Sequence, residues 1–193
     1  NAFWKNQLQE ISSPSQLPFH KKTALQGQEN SVHDLHRVLN PALEEAIKDF
    51  AKHLNLSISS VLQATWSILL AKYSNNTLPV FATTVSGRTH SIRDIETRVG
   101  LFINTLPVPF QWTEEQAVGE QISAFHNNLL QVQLHSHQPL HKIQQHAQIA
   151  ENTELFDSIF VFENKGSVFS GFVAQGSVEY GTHSFPHGGF NGV

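Results

Sequence analysis

Apolar residues recur at helical spacing in the segment that follows Asn40 and Pro41. An asparagine before a proline is a helix-start signal, because the Asn side chain caps the first turn and the proline lacks an N–H that would be unpaired there. The spacings of four, three and four residues place the apolar positions on one stripe of an amphipathic helix. These positions are Leu43, Ile47, Phe50 and Leu54.

A second helix is predicted after Ser57, which is a suitable N-cap, and it ends at the pair Asn75-Asn76. Its apolar face is so wide that we expect the helix to be largely buried. The face consists of Val61, Leu62, Thr65, Trp66, Leu69 and Tyr73.

A third helix is predicted from Thr113, because Thr-Glu-Glu-Gln has the form of a capping box. A shorter helix follows Pro139. The apolar face of the third helix is formed by Val118, Ile122, Phe125, Leu129 and Val132.

Several segments are typical of strands instead. Residues 78–85 (LPVFATTV) are apolar and β-branched, residues 155–164 (LFDSIFVFEN) are similar, and residues 31–39 are compatible with a strand that ends near Leu39. Residues 166–185 add strand candidates separated by glycine. Together with the helices, these strands predict an α/β fold, a two-layer mixed sheet covered by helices.

The run RVGLFINTLPVPF, residues 98–110, is also typical of a buried strand, but Asn104 and Thr105 interrupt it. A buried polar side chain without a hydrogen-bond partner costs about 1–3 kcal/mol. We therefore expect both residues to have partners. A planar guanidinium such as that of Arg88, which follows the preceding strand, can clamp a buried carboxylate or backbone carbonyls, and an amide can bridge two backbone segments.

The first 30 residues are rich in Gln, Ser, Pro and Lys, and they predict a linker or surface crossover after a short amphipathic piece around Phe3, Trp4 and Leu8. Any order in this segment has to come from docking. The length of 193 residues suits one domain or one lobe of a larger domain. The absence of methionine, at position 1 as elsewhere, suggests a segment of a longer polypeptide.

Composition excludes several functional classes. Twelve basic and 16 acidic residues give a net charge of −4 without a basic stripe, which argues against nucleic-acid binding. No apolar stretch approaches 18 residues and no signal-peptide pattern is present, so we predict a cytoplasmic protein. The lack of cysteine excludes disulfides, thiol nucleophiles and thiolate metal sites.

The 12 histidines raise the question of a metal site. His137 and His141 would share a helix face if the helix began that early, but no acidic third ligand lies in register and no HExxH motif occurs, so we predict no metal. No GxSxG, phosphate-loop or dinucleotide motif is present. Paired carboxylates such as Glu44-Glu45 lie in the first turns of helices. Their favourable interaction with the helix dipole accounts for them without a catalytic role.

Four segments carry a more specific signal: TTVSGR, DIETRVGLFINTLPV, HQPLHKI and LFDSIFVFEN, spread over residues 83–164. In this order they resemble the C-terminal half of the condensation domain of nonribosomal peptide synthetases, in which VGLFINTLPV corresponds to the signature (I/V)GxFVNT. The catalytic signature of the N-terminal half, HHxxxDG, is absent. Pro109, Leu140-His141 and the segment ENTELF also depart from the family pattern.

The resemblance implies one lobe of a chloramphenicol-acetyltransferase-like fold, with residues 1–30 as a linker and residues 31–193 as the C-terminal lobe. It also implies an amide-forming reaction between two carrier-bound thioesters in a tunnel between two lobes. The partners are carrier proteins that bear phosphopantetheine, adjacent synthetase domains and the missing N-terminal lobe, and no cofactor binds the chain directly. No catalytic residue is expected in this segment, which would be inert alone and would self-associate through its inter-lobe face.

By position in the motifs, Ser86, Arg88 and Asn104 are expected nearest the tunnel. Ser86 could donate to the developing oxyanion, and Arg88 and Asn104 would fix loops and the shape of the wall. Three alternatives stay open: an epimerization or heterocyclization lobe, a non-catalytic module that docks carrier proteins, and a histidine-rich metal binder. The Asn-Thr pair argues for condensation over the first of these.

Overall fold

The computed structural model describes residues 2–17, 35–88, 93–95, 97–149 and 153–162. The strand candidates of residues 166–185 lie outside this part of the chain. In order, the described elements are α1 (Ala2–Leu8), α2 (Pro41–His53), α3 (Ile58–Ser74), β1 (Val80–Val85), β2 (Asn104–Pro109), α4 (Val118–Leu134), α5 (Leu140–Gln144) and β3 (Ile159–Phe160).

The three described strands form one mixed sheet in the order β2-β1-β3. Strand β1 runs antiparallel to β2, so that Val85 pairs with Asn104, and parallel to β3, so that Ala82 pairs with Ile159. A mixed sheet covered by helices confirms the predicted α/β class. All the strands are shorter than predicted, and residues 98–103 precede β2 without joining a strand.

The two predicted helix caps are present. The Asn40 side chain accepts a hydrogen bond of 2.7 Å from the Leu43 N–H at the start of α2. The Ser57 hydroxyl accepts one of 3.1 Å from the Ser60 N–H at the start of α3. Helix α3 ends where Asn75 takes a left-handed conformation with φ of 49°, as Asn does at many helix ends.

Helix α4 begins at Val118, five residues after the predicted start, and the capping-box prediction is wrong. The Gln121 side chain is the reason. Its Oε1 accepts from the Thr113 N–H at 2.9 Å, and its Nε2 donates to the Thr113 and Gln116 carbonyls at 2.8 and 3.0 Å. These bonds hold residues 113–116 in an irregular turn. The predicted apolar face of α4 is buried apart from its first member, Val118.

The prediction that α3 is largely buried is wrong for its wide apolar face, on which Leu69 and Tyr73 are exposed. The buried side of α3 carries mostly small side chains, and three of its six residues are polar: Ser60, Val61, Gln63, Ala64, Ser67 and Leu70. Small side chains leave room for aromatic rings, and Trp112 uses this room, since its indole N–H donates to the Ser67 hydroxyl at 2.8 Å.

The strand predicted to end at Leu39 is absent from the described part of that segment. Residues 35–40 form no regular structure, and Leu35 and Val38 are exposed. An apolar pattern becomes a strand only where a neighbouring strand supplies hydrogen bonds, and the described residues supply none here. Residues 31–34 lie outside the described part of the chain.

Helix α1 docks on the folded body. Trp4 and Leu8 are fully buried in a hydrophobic cluster with β1, β2 and α5. Beyond the helix, the Ile11 carbonyl accepts from the Gln148 N–H at 2.9 Å, and the Ser15 hydroxyl accepts from the Val80 N–H at 2.7 Å. Residues 2–17 are therefore ordered by docking, as expected. The domain boundary at residue 30 stays a prediction, because residues 18–34 are not described.

A second hydrophobic cluster fills the space between helices α2, α3 and α4 and the sheet. It is rich in aromatic rings, among them Phe81 of β1, Phe125 of α4 and Trp112. In the described residues no single helix is long and apolar enough to cross a membrane. Only α2 and α3 taken together reach that length and composition, with a bend of 104° between them.

Candidate functional site

The three predicted site residues lie around one end of the sheet. Strand β1 ends at Val85 and its partner in β2 is Asn104, the first residue of that strand. Ser86 directly follows Val85, and Arg88 lies two residues further along. The strand register therefore brings the VSGR and FINT segments together, although they are 14 or more residues apart in sequence.

Asn104 bridges β2 to the turn between α4 and α5. Its Nδ2 donates to the Ser136 carbonyl at 2.7 Å and to the Gln138 carbonyl at 2.8 Å. Its Oδ1 accepts from the Thr105 N–H at 2.9 Å. The amide is therefore paired at both ends, which confirms that an amide at this position can bridge two backbone segments. The expectation of a partner is wrong for Thr105, whose hydroxyl forms no hydrogen bond within the described residues and is only half-buried, so that water can reach it. Asn104 does not interrupt β2 but begins it.

Arg88 organises the connection between β1 and β2. Its guanidinium donates to the Ile95 carbonyl and, at 3.1 Å, to the Arg98 carbonyl. The same group lies 4.7 Å from the centre of the Phe102 ring. The sequence left two kinds of partner open for this guanidinium, a buried carboxylate or backbone carbonyls. The structure shows backbone carbonyls. Arg88 therefore ties three points of one loop together.

Gly87 allows this loop to close on the strand end. Its φ of +64° is unfavourable for residues with a side chain, and a Cβ at this position would overlap the Phe102 carbonyl oxygen. Beside it, Ser86 is exposed, and its hydroxyl oxygen accepts a long bond of 3.4 Å from the Arg88 N–H. Within the described residues, the Ser86 hydroxyl hydrogen has no acceptor.

Sequence reasoning missed two residues that contact the turn to which Asn104 is bonded. The Trp4 indole N–H donates to the His135 carbonyl at 3.2 Å, and the Phe3 ring stacks on the His135 imidazole with centres 4.0 Å apart. The sequence identifies both only as apolar residues that need docking. The signal for the contact itself is weak, since 131 residues separate Trp4 from His135.

The histidines of the described segments do not cluster. Helix α5 begins at Leu140, so His137 lies in the preceding turn and forms no helical pair with His141. Among the residues that the structure describes, no three His, Cys, Asp or Glu side chains are grouped closely enough to hold a metal ion. One histidine is buried in part between helices: His126 Nδ1 lies 2.7 Å from the Ser60 hydroxyl, which lies 2.7 Å from that of Ser57.

Comparison with known proteins identifies the class. Residues 1–185 match the model of the condensation domain family, to which the chain belongs. Gramicidin S synthase 2 from Aneurinibacillus migulanus is 33% identical over 162 residues, which make up 84% of the chain and 4% of that protein.

Solved structures agree on the fold. A holo four-domain nonribosomal peptide synthetase, crystallised with AMP and glycine, matches with a TM-score of 0.71 and 19% identity over 86% of the chain and 13% of the synthetase. The condensation domain from the Monacolin K polyketide synthase matches with a TM-score of 0.65 and 18% identity over 82% of the chain and 40% of that domain. The chain thus spans a small part of these relatives.

Proposed function

We propose that the chain is the C-terminal lobe of a condensation domain that joins carrier-bound aminoacyl or peptidyl groups by an amide bond. The observation that carries this proposal is the match of residues 1–185 to the condensation domain family. The chain covers 40% of the condensation domain from the Monacolin K polyketide synthase, which is close to the share that one of two similar lobes would have. The absence of an HHxxxDG motif agrees with a division in which the catalytic histidine belongs to the N-terminal lobe.

In the proposed reaction, the amine of one carrier-bound aminoacyl group attacks the thioester carbonyl of the other. A C–N bond forms, the C–S bond breaks, and the pantetheine thiol leaves with a proton. Before the reaction both substrates are tethered by phosphopantetheine to carrier proteins, which are the proposed partners, and afterwards the product stays on the carrier that supplied the amine. Much of the rate gain would come from holding the two groups end to end, and stabilisation of the oxyanion would add to it.

Ser86 is the residue of this lobe best suited to contact the reacting carbonyl. Its side chain is exposed at the paired end of β1 and β2, and its hydroxyl hydrogen is uncommitted within the described residues. Arg88 and Asn104 use their donors on backbone carbonyls. Their proposed role is to hold the loop and the turn that form the wall of the tunnel.

The segment before β2 supports a contact with a second lobe. Val99, Leu101 and Ile103 are 102%, 86% and 63% exposed, and they alternate along a chain segment that leads directly to Asn104. Apolar side chains in such a row are typical of an interface. We propose that they face the N-terminal lobe, and that without it the chain self-associates through them.

The proposal is tested by a dipeptide assay with two loaded carrier proteins and mass spectrometry. The chain joined to its N-terminal lobe should form the amide, and the chain alone should form none. Dipeptide from the chain alone would contradict the proposed division of labour. Epimerised or cyclised product from the joined protein would instead indicate one of the related reactions, and a joined protein that binds carriers without product would indicate a docking module.

A substitution tests the role of Ser86. Ser86→Ala should lower the turnover number about tenfold, which is less than the loss for a buried oxyanion donor because this side chain is exposed. Ser12→Ala is the matched control, since Ser12 is also exposed but lies on the segment after α1. An unchanged turnover number for Ser86→Ala would remove Ser86 from the site.

A further inference from the structure

Helix α4 ends in a turn, residues 135–138, whose position depends on contacts with distant residues. The last carbonyls of a helix have no intrahelical donor, and many helices meet this need with a glycine in a left-handed conformation. Helix α4 ends at Leu134 without one, and its C-cap is His135 with φ of −100°. The N–H groups of His135 and Ser136 donate instead to the Gln131, Val132 and Gln133 carbonyls, so the turn of residues 135–138 closes the helix. The turn's own carbonyls at His135, Ser136 and Gln138 accept from side chains elsewhere in the chain.

Two distant side chains supply these donors. Asn104 donates to the Ser136 and Gln138 carbonyls, as described above. Trp4 donates to the His135 carbonyl at 3.2 Å, and its indole is fully buried. A buried indole N–H without an acceptor is unfavourable, so the position of α1 and that of the turn depend on each other. The turn is held from β2 on one side and from α1 on the other.

A second contact strengthens the hold from α1. The Phe3 ring lies parallel to the His135 imidazole, with centres 4.0 Å apart and an angle of 9° between the planes. The His135 Nδ1 lies 2.9 Å from the Gln131 carbonyl, which orients the imidazole on α4. Neighbouring residues of α1 thus contact the backbone and the side chain of one turn residue.

The segment that follows α1 fixes this helix to the rest of the protein. The Ile11 carbonyl accepts from the Gln148 N–H, and the Leu17 N–H donates to Asp157 Oδ2 at 3.1 Å. Helix α1 is therefore attached, through the residues that follow it, to the segment after α5 and to the segment before β3, independently of the turn. A displacement of the turn would break its contacts to α1, because α1 is held elsewhere.

We propose that Trp4 is a positioning residue, which holds the α4–α5 turn so that the turn keeps Asn104, and with it the start of β2, in place for the reaction. This inference rests on the proposed condensation function. Trp4 contacts no reacting atom in this account. It acts through the His135 carbonyl, the turn and the Asn104 amide, a path in which each step is a hydrogen bond or a covalent link.

Trp4→Phe tests the proposal in the complete condensation domain, because it keeps an aromatic ring and removes the N–H. The matched control is Trp66→Phe, which removes the indole N–H that lies 3.4 Å from the Ser158 hydroxyl, outside the turn. With two loaded carrier proteins, Trp4→Phe should lower kcat five- to tenfold and leave KM within twofold. Trp66→Phe should leave both constants within twofold.

Hydrogen exchange gives a readout that does not depend on activity. The amides of His135 and Ser136 should exchange at least tenfold faster in Trp4→Phe and at the wild-type rate in Trp66→Phe. A second variant, Phe3→Leu, keeps the indole bond and removes the stacking, and it should give a smaller change of the same sign. This variant also covers the case in which Trp4→Phe does not fold.

The outcomes separate the two proposals. An unchanged kcat or unchanged exchange in Trp4→Phe would overturn the positioning role, and so would equal losses in Trp4→Phe and Trp66→Phe, which would indicate a general effect on the fold. A wild-type domain that forms no amide bond would overturn the proposed function. In that case faster exchange at residues 135 and 136 would still show that Trp4 holds the turn.

Discussion

The two halves of the run RVGLFINTLPVPF have similar apolar content and opposite environments. In the first half, Val99, Leu101 and Ile103 are exposed and join no strand. In the second half, Leu106 and Val108 are fully buried in β2. Asn104 marks the boundary between them. Apolar alternation therefore indicates which side chains are suited to burial. It does not indicate whether the surface that buries them lies within the chain or on another lobe.

The second half has its partner within the chain, because β1 supplies the hydrogen bonds and the helices supply the apolar cover. Among the described residues, the first half is held by Arg88, by the close approach of Gly87 to the Phe102 backbone, and by hydrogen bonds from Arg98 to the Arg93 and Ile95 carbonyls. Its apolar side chains have little cover among the described residues. A surface of this kind fits the proposed second lobe, and four substitutions test the contrast.

Gly87→Ala should have the largest effect on stability. The substitution combines an unfavourable positive φ with overlap of the new Cβ and the Phe102 carbonyl oxygen. Backbone strain and overpacking each cost about 1–3 kcal/mol, so the free energy of unfolding should fall by about 4 kcal/mol. Urea unfolding followed by tryptophan fluorescence measures this loss.

The matched control is Gly119→Ala in α4, where a Cβ would meet only Leu54 at an ordinary contact distance of 3.6 Å. Alanine is the better helix former, so this variant should be as stable as the wild type or more so. A loss at Gly119 equal to that at Gly87 would contradict the special role of Gly87.

Leu106→Ala compares the halves directly. Removal of a fully buried leucine leaves a cavity and should lower the free energy of unfolding by about 3 kcal/mol. Leu101→Ala removes the same atoms from the exposed half and should change it by less than about 0.5 kcal/mol. The pair is measured by urea unfolding under identical conditions, and similar losses would show that residue 101 is covered within the chain.

Asn104→Ala tests the boundary residue. It removes the Asn104 Nδ2 donor from the Ser136 and Gln138 carbonyls and should lower the free energy of unfolding by about 2 kcal/mol. Thr105→Val is the control, since the Thr105 hydroxyl forms no hydrogen bond within the described residues, and it should have little effect. Calorimetric unfolding can rank the two variants. A greater loss for Thr105→Val would mean that the polar pair is stabilised through Thr105.

Arg88→Lys should have the smallest effect, about 1 kcal/mol, because lysine retains the charge but lacks the planar fork that reaches two carbonyls and covers the Phe102 ring. Arg93→Lys is the control, since the Arg93 side chain is exposed and makes a surface ion pair of 3.6 Å with Asp94. Chemical denaturation should separate these variants. Equal stability of Arg88→Lys and the wild type would show that the bonds of the Arg88 guanidinium to the Ile95 and Arg98 carbonyls do not stabilise the loop.

Local signals predicted much of this structure. The caps at Asn40 and Ser57, the end of α3 at Asn75 and the buried face of α4 depend on contacts within a few residues, so the sequence pattern is sufficient for them. The family signature was sufficient to identify the class of protein. The pairing of β1 with β2 places Ser86 and Asn104 at one end of the sheet.

The errors come from contacts between distant residues. The start of α4 depends on how Gln121 pairs with the turn before the helix, and the exposure of Leu69 and Tyr73 depends on which side of α3 the aromatic cluster occupies. The contact between Trp4 and His135 spans almost the whole described chain. No periodicity encodes such pairs, because they form only when the helices and strands have packed.

The most direct test of the account compares hydrogen exchange in residues 99–103 with that in residues 106–108, for the chain alone and for the chain joined to the N-terminal lobe. Addition of the lobe should slow exchange of the first group by at least tenfold and leave the second group unchanged, because only the exposed half gains a partner. Equal exchange of residues 99–103 in both proteins would contradict the claim that this half completes a two-lobed condensation domain.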